Sequence, residues 1–243
     1  MLEIICISDE EKNLINKNHK KYDLLISCGD LSPRYMDYVI EEFNPSFALM
    51  INGNHDEKYY PAEVKEKSGF SDIFRGIYVL KQGYINLNRY IKKNIGIMGF
   101  SGALSWGAQP FHFQEKNVSK FRKSVDRRKK IGLIQELDFF ISHTPPYIQD
   151  AFKNMGTYHQ PSYELGSFYE KYFPKIWFYG HIHSSYTSQN LDFKVRKNSG
   201  YSFLINACPV KFILYDEEYK KLMDVTSIQK VMFSPLDLSV KIK

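Results

Sequence analysis

Aspartate, asparagine and histidine residues recur along the chain directly after short apolar runs. In chain order they are Asp9, Asp30, Asn54, His143, His181 and His183. Carboxylate, amide-oxygen and imidazole ligands together suit borderline divalent ions such as Mn²⁺, Fe²⁺ or Zn²⁺, whereas Ca²⁺ prefers oxygen alone. About this many ligands are needed to hold two ions. The residue types therefore predict a metal centre with two divalent ions as cofactors.

Each of these polar residues ends or follows a predicted strand. The apolar runs in question are 4–8, 23–28, 47–51, 139–142 and 176–179. Buried parallel strands have this continuous apolar character. Side chains at the ends of neighbouring parallel strands can converge on one crevice without strain. The pattern therefore predicts that ligands from distant parts of the chain meet at one edge of a sheet.

Helix-compatible segments separate these runs and indicate an α/β fold. Predicted helices cover 10–21, 35–42, 114–133 and 163–172, and the last of them starts after Ser162 with Glu164 in its first turn. Further segments rich in β-type residues, at 77–80, 84–87, 95–100, 203–207, 210–215 and 231–242, predict a second sheet. The irregular segments 102–113 and 145–161 are expected near the mouth of the site, because long ordered loops tend to be functional.

The motif blocks, taken in order, resemble those of the calcineurin-like metallophosphoesterases. The blocks are Asp9, Gly29-Asp30, Gly53-Asn54-His55-Asp56, His143 and Gly180-His181-Ile182-His183. Each block alone is a weak signal, but five blocks in this order, each at the end of a predicted strand, are jointly specific. The resemblance implies a four-layer αββα sandwich, in which two mixed β-sheets pack together and are flanked by helices. It also implies hydrolysis of phosphomonoester or phosphodiester bonds.

The resemblance further implies a role for each site residue. Asp30 would bridge both ions, Asp9 and His183 would complete the first site, and Asn54, His143 and His181 would hold the second. A bridging hydroxide would attack phosphorus as the nucleophile. His55 would be the general acid, since an imidazole of pKa near 6.5 can donate a proton to the leaving group at physiological pH. Asp56 is the usual orienting partner of that histidine in the family.

The first block departs from the family pattern, which begins D-x-H with the histidine as a ligand of the first metal. Here the residues are Asp9-Glu10-Glu11, so Glu11 stands where the imidazole is expected. A ligating carboxylate would shift the preference toward harder ions such as Mn²⁺ or Mg²⁺. If Glu11 instead points away, the first site has fewer protein ligands and a weaker affinity. Of these two alternatives, we expect ligation by Glu11.

Other histidines and acids carry a weaker signal. His159 lies between His143 and Gly180, where family members often have another histidine near the phosphate. Surface exposure is an equal alternative to substrate contact for His159. Asp9 and Asp30 could cap helices, and a single histidine at a strand end could be structural. The constellation as a whole favours ligation.

Two rival functions remain open. The predicted helix 114–133 carries Lys116, Lys120, Arg122, Lys123, Arg127, Arg128, Lys129 and Lys130. A solvated face explains this stripe, but a nuclease could use it to hold nucleic acid. The other rival is a non-catalytic metal-binding scaffold, which the departure at Glu11 favours. His55 and the remaining ligand positions argue against a scaffold, which has no need of a general acid beside two metals.

The bulk properties fit an ordinary globular enzyme. A chain of 243 residues with 43% hydrophobic and 25% charged residues predicts one domain spanning 1–243. The formal net charge of +6 suits an anionic phosphoester, and we expect a small-molecule substrate rather than nucleic acid. Two of the three cysteines lie in buried-type runs, which favours a reducing cytoplasm. No signal peptide or membrane-spanning run is predicted.

Overall fold

The structure, a computed structural model, describes residues 1–17, 19–58, 72–105, 110–148, 152, 159–183, 191–198 and 200–227. The predicted strand at 231–242 lies outside these residues. Within them, no helix is both long and apolar enough to cross a membrane.

The described residues contain the following strands: β1 (Leu2–Ile7), β2 (Leu24–Ser27), β3 (Phe47–Met50), β4 (Asp72–Phe74), β5 (Ile77–Val79), β6 (Gln82–Asn86), β7 (Gly96–Phe100), β8 (Ala103–Leu104), β9 (His112–Phe113), β10 (Phe139–Ser142), β11 (Ile176–Tyr179), β12 (Phe193–Lys197), β13 (Gly200–Asn206), β14 (Val210–Asp216) and β15 (Lys221–Ser227). The helices are α1 (Pro33–Phe43), α2 (Asn88–Ile91), α3 (Glu115–Lys130) and α4 (Tyr163–Tyr172), and a short 3₁₀ turn covers Asp56–Lys58.

Most of these strands form two mixed sheets. The first sheet, as far as the structure describes it, has the order β15-β14-β1-β2-β3-β5-β4, with β1, β2, β3 and β5 parallel. The second has the order β12-β13-β11-β10-β7-β6, with β13, β11, β10 and β7 parallel. The flanking strands β14, β4, β12 and β6 run antiparallel to the central strands that they pair with, and β15 in turn runs antiparallel to β14. Both sheets therefore bring a set of parallel strand ends to one edge.

Alternating side chains of the central strands bury both faces of each sheet. On β1, Ile4 and Cys6 belong to the apolar cluster shared with the second sheet, while Ile5 and Ile7 pack in the cluster that contains α1. On β10, Phe139 joins the cluster between the sheets, and Phe140 joins the cluster that contains α3 and α4. The layers are therefore helix, sheet, sheet and helix. The predicted αββα sandwich is confirmed.

The helix predicted at 10–21 is wrong, because the described part of this segment is not helical. Its backbone groups are bound instead by tyrosine hydroxyls of α1. The Lys12 N–H donates to Tyr35 Oη at 3.1 Å, and the Leu14 N–H donates to Tyr38 Oη at 2.8 Å. Backbone N–H groups that are satisfied in this way do not require the hydrogen bonds of a helix.

The other predicted helices are confirmed, the predicted start after Ser162 is correct, and the first helix begins at Pro33 with Ser32 as its cap. Ser32 Oγ accepts from the Tyr35 N–H at 3.3 Å, and Ser162 Oγ accepts from the Leu165 N–H at 3.1 Å. The predicted helix 114–133 ends earlier, at Lys130. The structure adds short or edge strands that the sequence did not predict, namely β4, β8, β9, β12 and β15. Their charged or short segments lack the apolar run that identifies a central strand.

Candidate metal centre

The predicted ligands follow strands of both sheets and meet where those strands end. Asp9 follows β1 and Asp30 follows β2, with backbone φ angles of 63° and 61°, and His181 follows β11 with a φ of 68°. Left-handed backbone is uncommon for residues other than glycine. It turns the chain sharply after each strand, so the side chain projects across the crevice instead of continuing along the sheet.

His143, which follows β10 and is fully buried, has the best-defined environment of these side chains. Its Nδ1–H donates to the carbonyl of Cys28 at 2.7 Å. The other nitrogen, Nε2, lies 3.1 Å from Asp30 Oδ2 and 3.0 Å from Asn54 Oδ1. A hydrogen bond from one ring nitrogen to a backbone carbonyl is the usual support of a metal-bound histidine. With Nδ1 committed to Cys28, the Nε2 lone pair and two oxygens converge as a ligand set for a cation.

Asp9 links this group to the two histidines after β11. Its carboxylate accepts from the His181 N–H at 3.2 Å and 3.0 Å. Asp9 Oδ1 is also 3.8 Å from His183 Nε2 and 4.0 Å from His143 Nε2. The ligand atoms of Asp9, Asp30 and His143 all lie within 4.8 Å of one another. The structure thus brings Asp9, Asp30, Asn54, His143, His181 and His183 together.

The electrostatics of the crevice favour cations. Burial raises the pKa of Asp9, even though His143 acts to lower it. Burial also raises the pKa of Asp56 to about 8, and the charge of Asp30 adds to that rise. Burial works against the charged forms of Asp30 and His143 as well, yet their mutual attraction lowers the pKa of Asp30 and raises that of His143. The two carboxylates of Asp9 and Asp30 lie together in this buried cluster with the imidazole of His143, and such a mixed donor set fits a divalent ion.

Two glycines allow this close approach of side chains. A Cβ atom on Gly53 would lie 2.2 Å from Asp30 Oδ1, and one on Gly180 would lie 2.1 Å from Ser8 Oγ and 2.8 Å from Asp9 Oδ2. These separations are shorter than any van der Waals contact. The glycines of the G-N-H-D and G-H-I-H blocks therefore leave the space that the ligands occupy.

Asp56 and His55 occupy different environments. Asp56 is fully buried, and its Oδ2 accepts from the Gly53 N–H at 2.8 Å and the Asp30 N–H at 3.1 Å. The His55 N–H donates to Asp30 Oδ1 at 2.8 Å, and the His55 residue is exposed at the mouth of the crevice. Among the described contacts, Asp56 makes none with the His55 ring. Its contacts instead hold the loop that carries Asn54 against the loop that carries Asp30.

Glu11, predicted as a ligand, is exposed, and its Oε1 accepts from the Ser32 N–H at 2.9 Å. The structure does not bring it to the other ligands. Its neighbour Glu10 lies closer to the centre, where Glu10 Oε1 is 3.8 Å from His183 Nδ1. Neighbouring residues of an extended chain face opposite sides, so Glu10 faces the centre and Glu11 faces away from it. The left-handed turn at Asp9 makes it hard to predict from the sequence which of the two faces the centre.

His159, predicted as a weak substrate contact, lies beside the histidines that follow β11. Its ring centroid is 5.0 Å from that of His181 and 6.3 Å from that of His183. Burial lowers the pKa of His159, and the neighbouring histidines lower it further. A neutral imidazole at the edge of the crevice can donate or accept a hydrogen bond.

Sequence reasoning missed three supporting residues. Asn206, at the end of β13, donates from Nδ2 to the carbonyl of Ile182 at 2.8 Å and so holds the G-H-I-H loop. The signal was available, because Asn206 ends an apolar strand as the ligands do. The Cys28 carbonyl, which binds His143, and the Cys208 thiol, which lies within 4.8 Å of Glu10 and His183, gave no comparable signal. Neither a backbone carbonyl nor a lone cysteine forms part of a recognisable sequence motif.

Comparisons with known proteins agree with this geometry. The family described as calcineurin-like phosphoesterase matches residues 6–185. No curated protein sequence matches the chain. Among solved structures, one aligns with a TM-score of 0.56 at 13% identity and covers 93% of this chain and 98% of its own. The protein TT1561 of Thermus thermophilus aligns with a TM-score of 0.54 at 13% identity over the same shares of the two chains.

A third solved structure is a protein of Staphylococcus aureus, provisionally described as a 5′-nucleotidase and solved in complex with alpha-ketoglutarate. It covers 93% of this chain and 52% of its own, with 13% identity and a TM-score of 0.45. At 13% identity, the first two likenesses show the fold alone.

The contacts of Asp56 generate a prediction about stability. Asp56→Ala leaves the buried N–H groups of Gly53 and Asp30 without their acceptor, so we expect the free energy of unfolding to fall by roughly 2–4 kcal/mol. Urea unfolding measures this change. Glu57→Ala, at an exposed position in the same turn, is the matched control and should change little. An Asp56→Ala protein as stable as the control would contradict the positioning role.

The contacts of Glu11 generate a prediction about metal content. Glu11→Ala removes an acceptor from Ser32 and no ligand, so the variant should keep the metal content of the wild type and lose about 0.5–1.5 kcal/mol of stability. Elemental analysis of the purified proteins measures the metal, and His183→Ala serves as a variant expected to lose it. Loss of metal from Glu11→Ala would restore the prediction that Glu11 ligates.

Proposed function

The chain belongs to the calcineurin-like phosphoesterase family, a metal-dependent hydrolase superfamily, and from that premise we propose that it hydrolyses phosphomonoesters or phosphodiesters at two divalent ions. One observation carries the proposal. Two oxygen atoms, Asp30 Oδ2 and Asn54 Oδ1, lie 3.1 Å and 3.0 Å from His143 Nε2. We treat residues 1–243 as one domain in this proposal.

The proposed ligands follow the family motif. Asp9, Asp30 and His183 would hold the first ion, and Asp30, Asn54, His143 and His181 would hold the second. Mn²⁺, Fe²⁺ and Zn²⁺ all accept this mixture of oxygen and nitrogen ligands. When bound, such ions neutralise the charge of the phosphoryl oxygens and lower the pKa of a nearby water. The buried position of Asp9, Asp30 and His143 excludes bulk solvent from one side of that chemistry.

His55 is proposed as the general acid. Its backbone is fixed by the N–H bond to Asp30 Oδ1, while its side chain faces solvent at the mouth, where a leaving group would depart. An imidazole there can donate a proton to the departing alkoxide oxygen. Asp56 supports this role by fixing the loop, through its bonds to Gly53 and Asp30. We also propose that His159, whose ring centroid lies 5.0 Å from that of His181, contacts the substrate.

The position of α3 favours a small substrate over nucleic acid. α3 connects the parallel neighbours β7 and β10, so it runs antiparallel to them and its last turn lies at the edge where those strands begin. The basic residues of that last turn, 127–130, are therefore at the far edge from the centre. Arg122, nearer the start of the helix, is paired with Glu164 at 3.2 Å. The four consecutive basic residues of α3 are therefore not at the centre, where a nuclease would need them.

A non-catalytic scaffold is less well supported. The departure that favoured it, Glu11, is accounted for by the bond to Ser32. A metal-binding scaffold would share the buried ligand set, but it has no use for an exposed histidine beside that set.

Activity that depends on metal tests the proposal. We expect the Mn²⁺-loaded protein to hydrolyse p-nitrophenyl phosphate or bis(p-nitrophenyl) phosphate, to lose that activity on chelation and to regain it when Mn²⁺ is restored. A protein inert on both esters with Mn²⁺, Fe²⁺, Zn²⁺ and Co²⁺ would favour the scaffold. Cleavage of DNA or RNA without cleavage of either ester would favour the nuclease.

The role of His55 generates a second prediction. His55→Ala should lower kcat on phenyl phosphate by roughly 10²–10⁴-fold, because the phenoxide leaves without a proton donor. The loss on p-nitrophenyl phosphate should be much smaller, since nitrophenoxide needs little protonation. Metal content should not change, and the exposed His19→Ala is the matched control. Equal losses on both esters, or loss of metal, would refute the general-acid role.

A further inference from the structure

A second group of potential ligands, formed by Glu10, His183 and Cys208, lies beside the centre. Their ligand atoms are all within 4.8 Å of one another, and Glu10 Oε1 is 3.8 Å from His183 Nδ1. Ligands in a tetrahedral zinc site are separated by roughly 3.4–3.6 Å, given zinc–ligand bonds of about 2.0–2.3 Å. The ligand atoms of the three side chains are therefore close to the spacing of a zinc site, and small movements would bring them to it.

The surrounding residues fix this group in place. The side chain of Asn206, which is 2% exposed, accepts from the Cys208 N–H at 3.0 Å and donates to the Ile182 carbonyl at 2.8 Å. One buried amide thus holds the backbone of Cys208 against the loop that carries His183. Lys12 Nζ binds Glu10 Oε2 at 2.9 Å, and Glu10 Oε1 is the oxygen that faces the imidazole.

We propose that Glu10 Oε1, His183 Nδ1 and Cys208 Sγ form a binding site for a thiophilic divalent ion, with Zn²⁺ as the preferred occupant. Thiolate, imidazole and carboxylate are the ligands that Zn²⁺ takes in proteins, and water completes a tetrahedral set. The sulfur–metal bond forms as the Cys208 thiol releases its proton to solvent. One carboxylate and one thiolate then balance the two charges of the ion.

This site goes beyond the proposed function, and it shares one residue with it. A neutral imidazole has a single lone pair, so an ion on Nδ1 leaves Nε2 as an N–H. That N–H lies 3.8 Å from Asp9 Oδ1, so a small shift would let Asp9 accept it, as outer carboxylates do in many zinc sites. A thiophilic ion here therefore competes with the first ion of the proposed hydrolytic centre for His183.

Cobalt spectroscopy tests the site without any measurement of activity. We expect Co²⁺ added to the metal-free protein to give a thiolate-to-cobalt charge-transfer band in the near ultraviolet. Cys208→Ser should abolish the band. Cys6→Ala, at a buried thiol between the sheets, is the matched control and should keep it. Glu10→Gln should keep the band but weaken Co²⁺ binding at least about tenfold, since even outer-shell partners are worth that much.

X-ray absorption of the zinc-loaded wild type gives a second measurement that needs no variant. We expect a sulfur neighbour at about 2.3 Å in the zinc shell, at less than one sulfur per zinc wherever zinc also fills the hydrolytic centre. A shell of nitrogen and oxygen alone, or a cobalt band that persists in Cys208→Ser, would overturn the proposal. Neither result would bear on phosphoester hydrolysis, which the nitrophenyl assays decide separately.

Discussion

The hydrogen bond from His143 Nδ1 to the carbonyl of Cys28 joins the two sheets where the candidate ligands meet. Its length is 2.7 Å, and both partners are buried. His143 follows a strand of the second sheet, and Cys28 follows a strand of the first. The bond fixes the ring and its tautomer, so Nε2 must face Asp30 and Asn54. Together with the bonds from the His181 N–H to the Asp9 carboxylate, this contact fixes the two halves of the ligand set relative to each other.

Residues with left-handed backbone position several of the candidate ligands at the edge of each sheet. Three candidate ligands, Asp9, Asp30 and His181, adopt left-handed φ angles, a conformation that costs of order 1 kcal/mol or more for residues other than glycine. Local bonds offset this cost. The Asp9 N–H donates to the Gly29 carbonyl at 3.2 Å, and the Asp30 N–H donates to Asp56. The parallel strands below are buried on both faces and provide the rigid support on which such turns depend.

Much of this arrangement could be predicted from the sequence because it depends on local patterns. Apolar runs that end in Asp, Asn or His identified β1, β2, β3, β10 and β11 and placed their ligands at one edge. What could not be predicted depends on contacts between distant segments. The segment 10–21 is helix-compatible, but the hydroxyls of Tyr35 and Tyr38 bind the N–H groups of Lys12 and Leu14, and the described part of the segment is not helical. Cys208 reaches the centre only because β13 lies beside β11 in the second sheet.

The replacement of the family histidine by Glu11 has a local explanation in the start of α1. Glu11 accepts from the Ser32 N–H, and the Ser32 hydroxyl in turn caps the helix by accepting from the Tyr35 N–H. Helix starts favour acidic groups, because their free N–H groups carry partial positive charge. A carboxylate at position 11 therefore stabilises α1, a role that an imidazole bound to metal could not perform. With Glu11 engaged at Ser32, the carboxylates that the described contacts bring near His183 are Asp9 on the Nε2 side and Glu10 on the Nδ1 side.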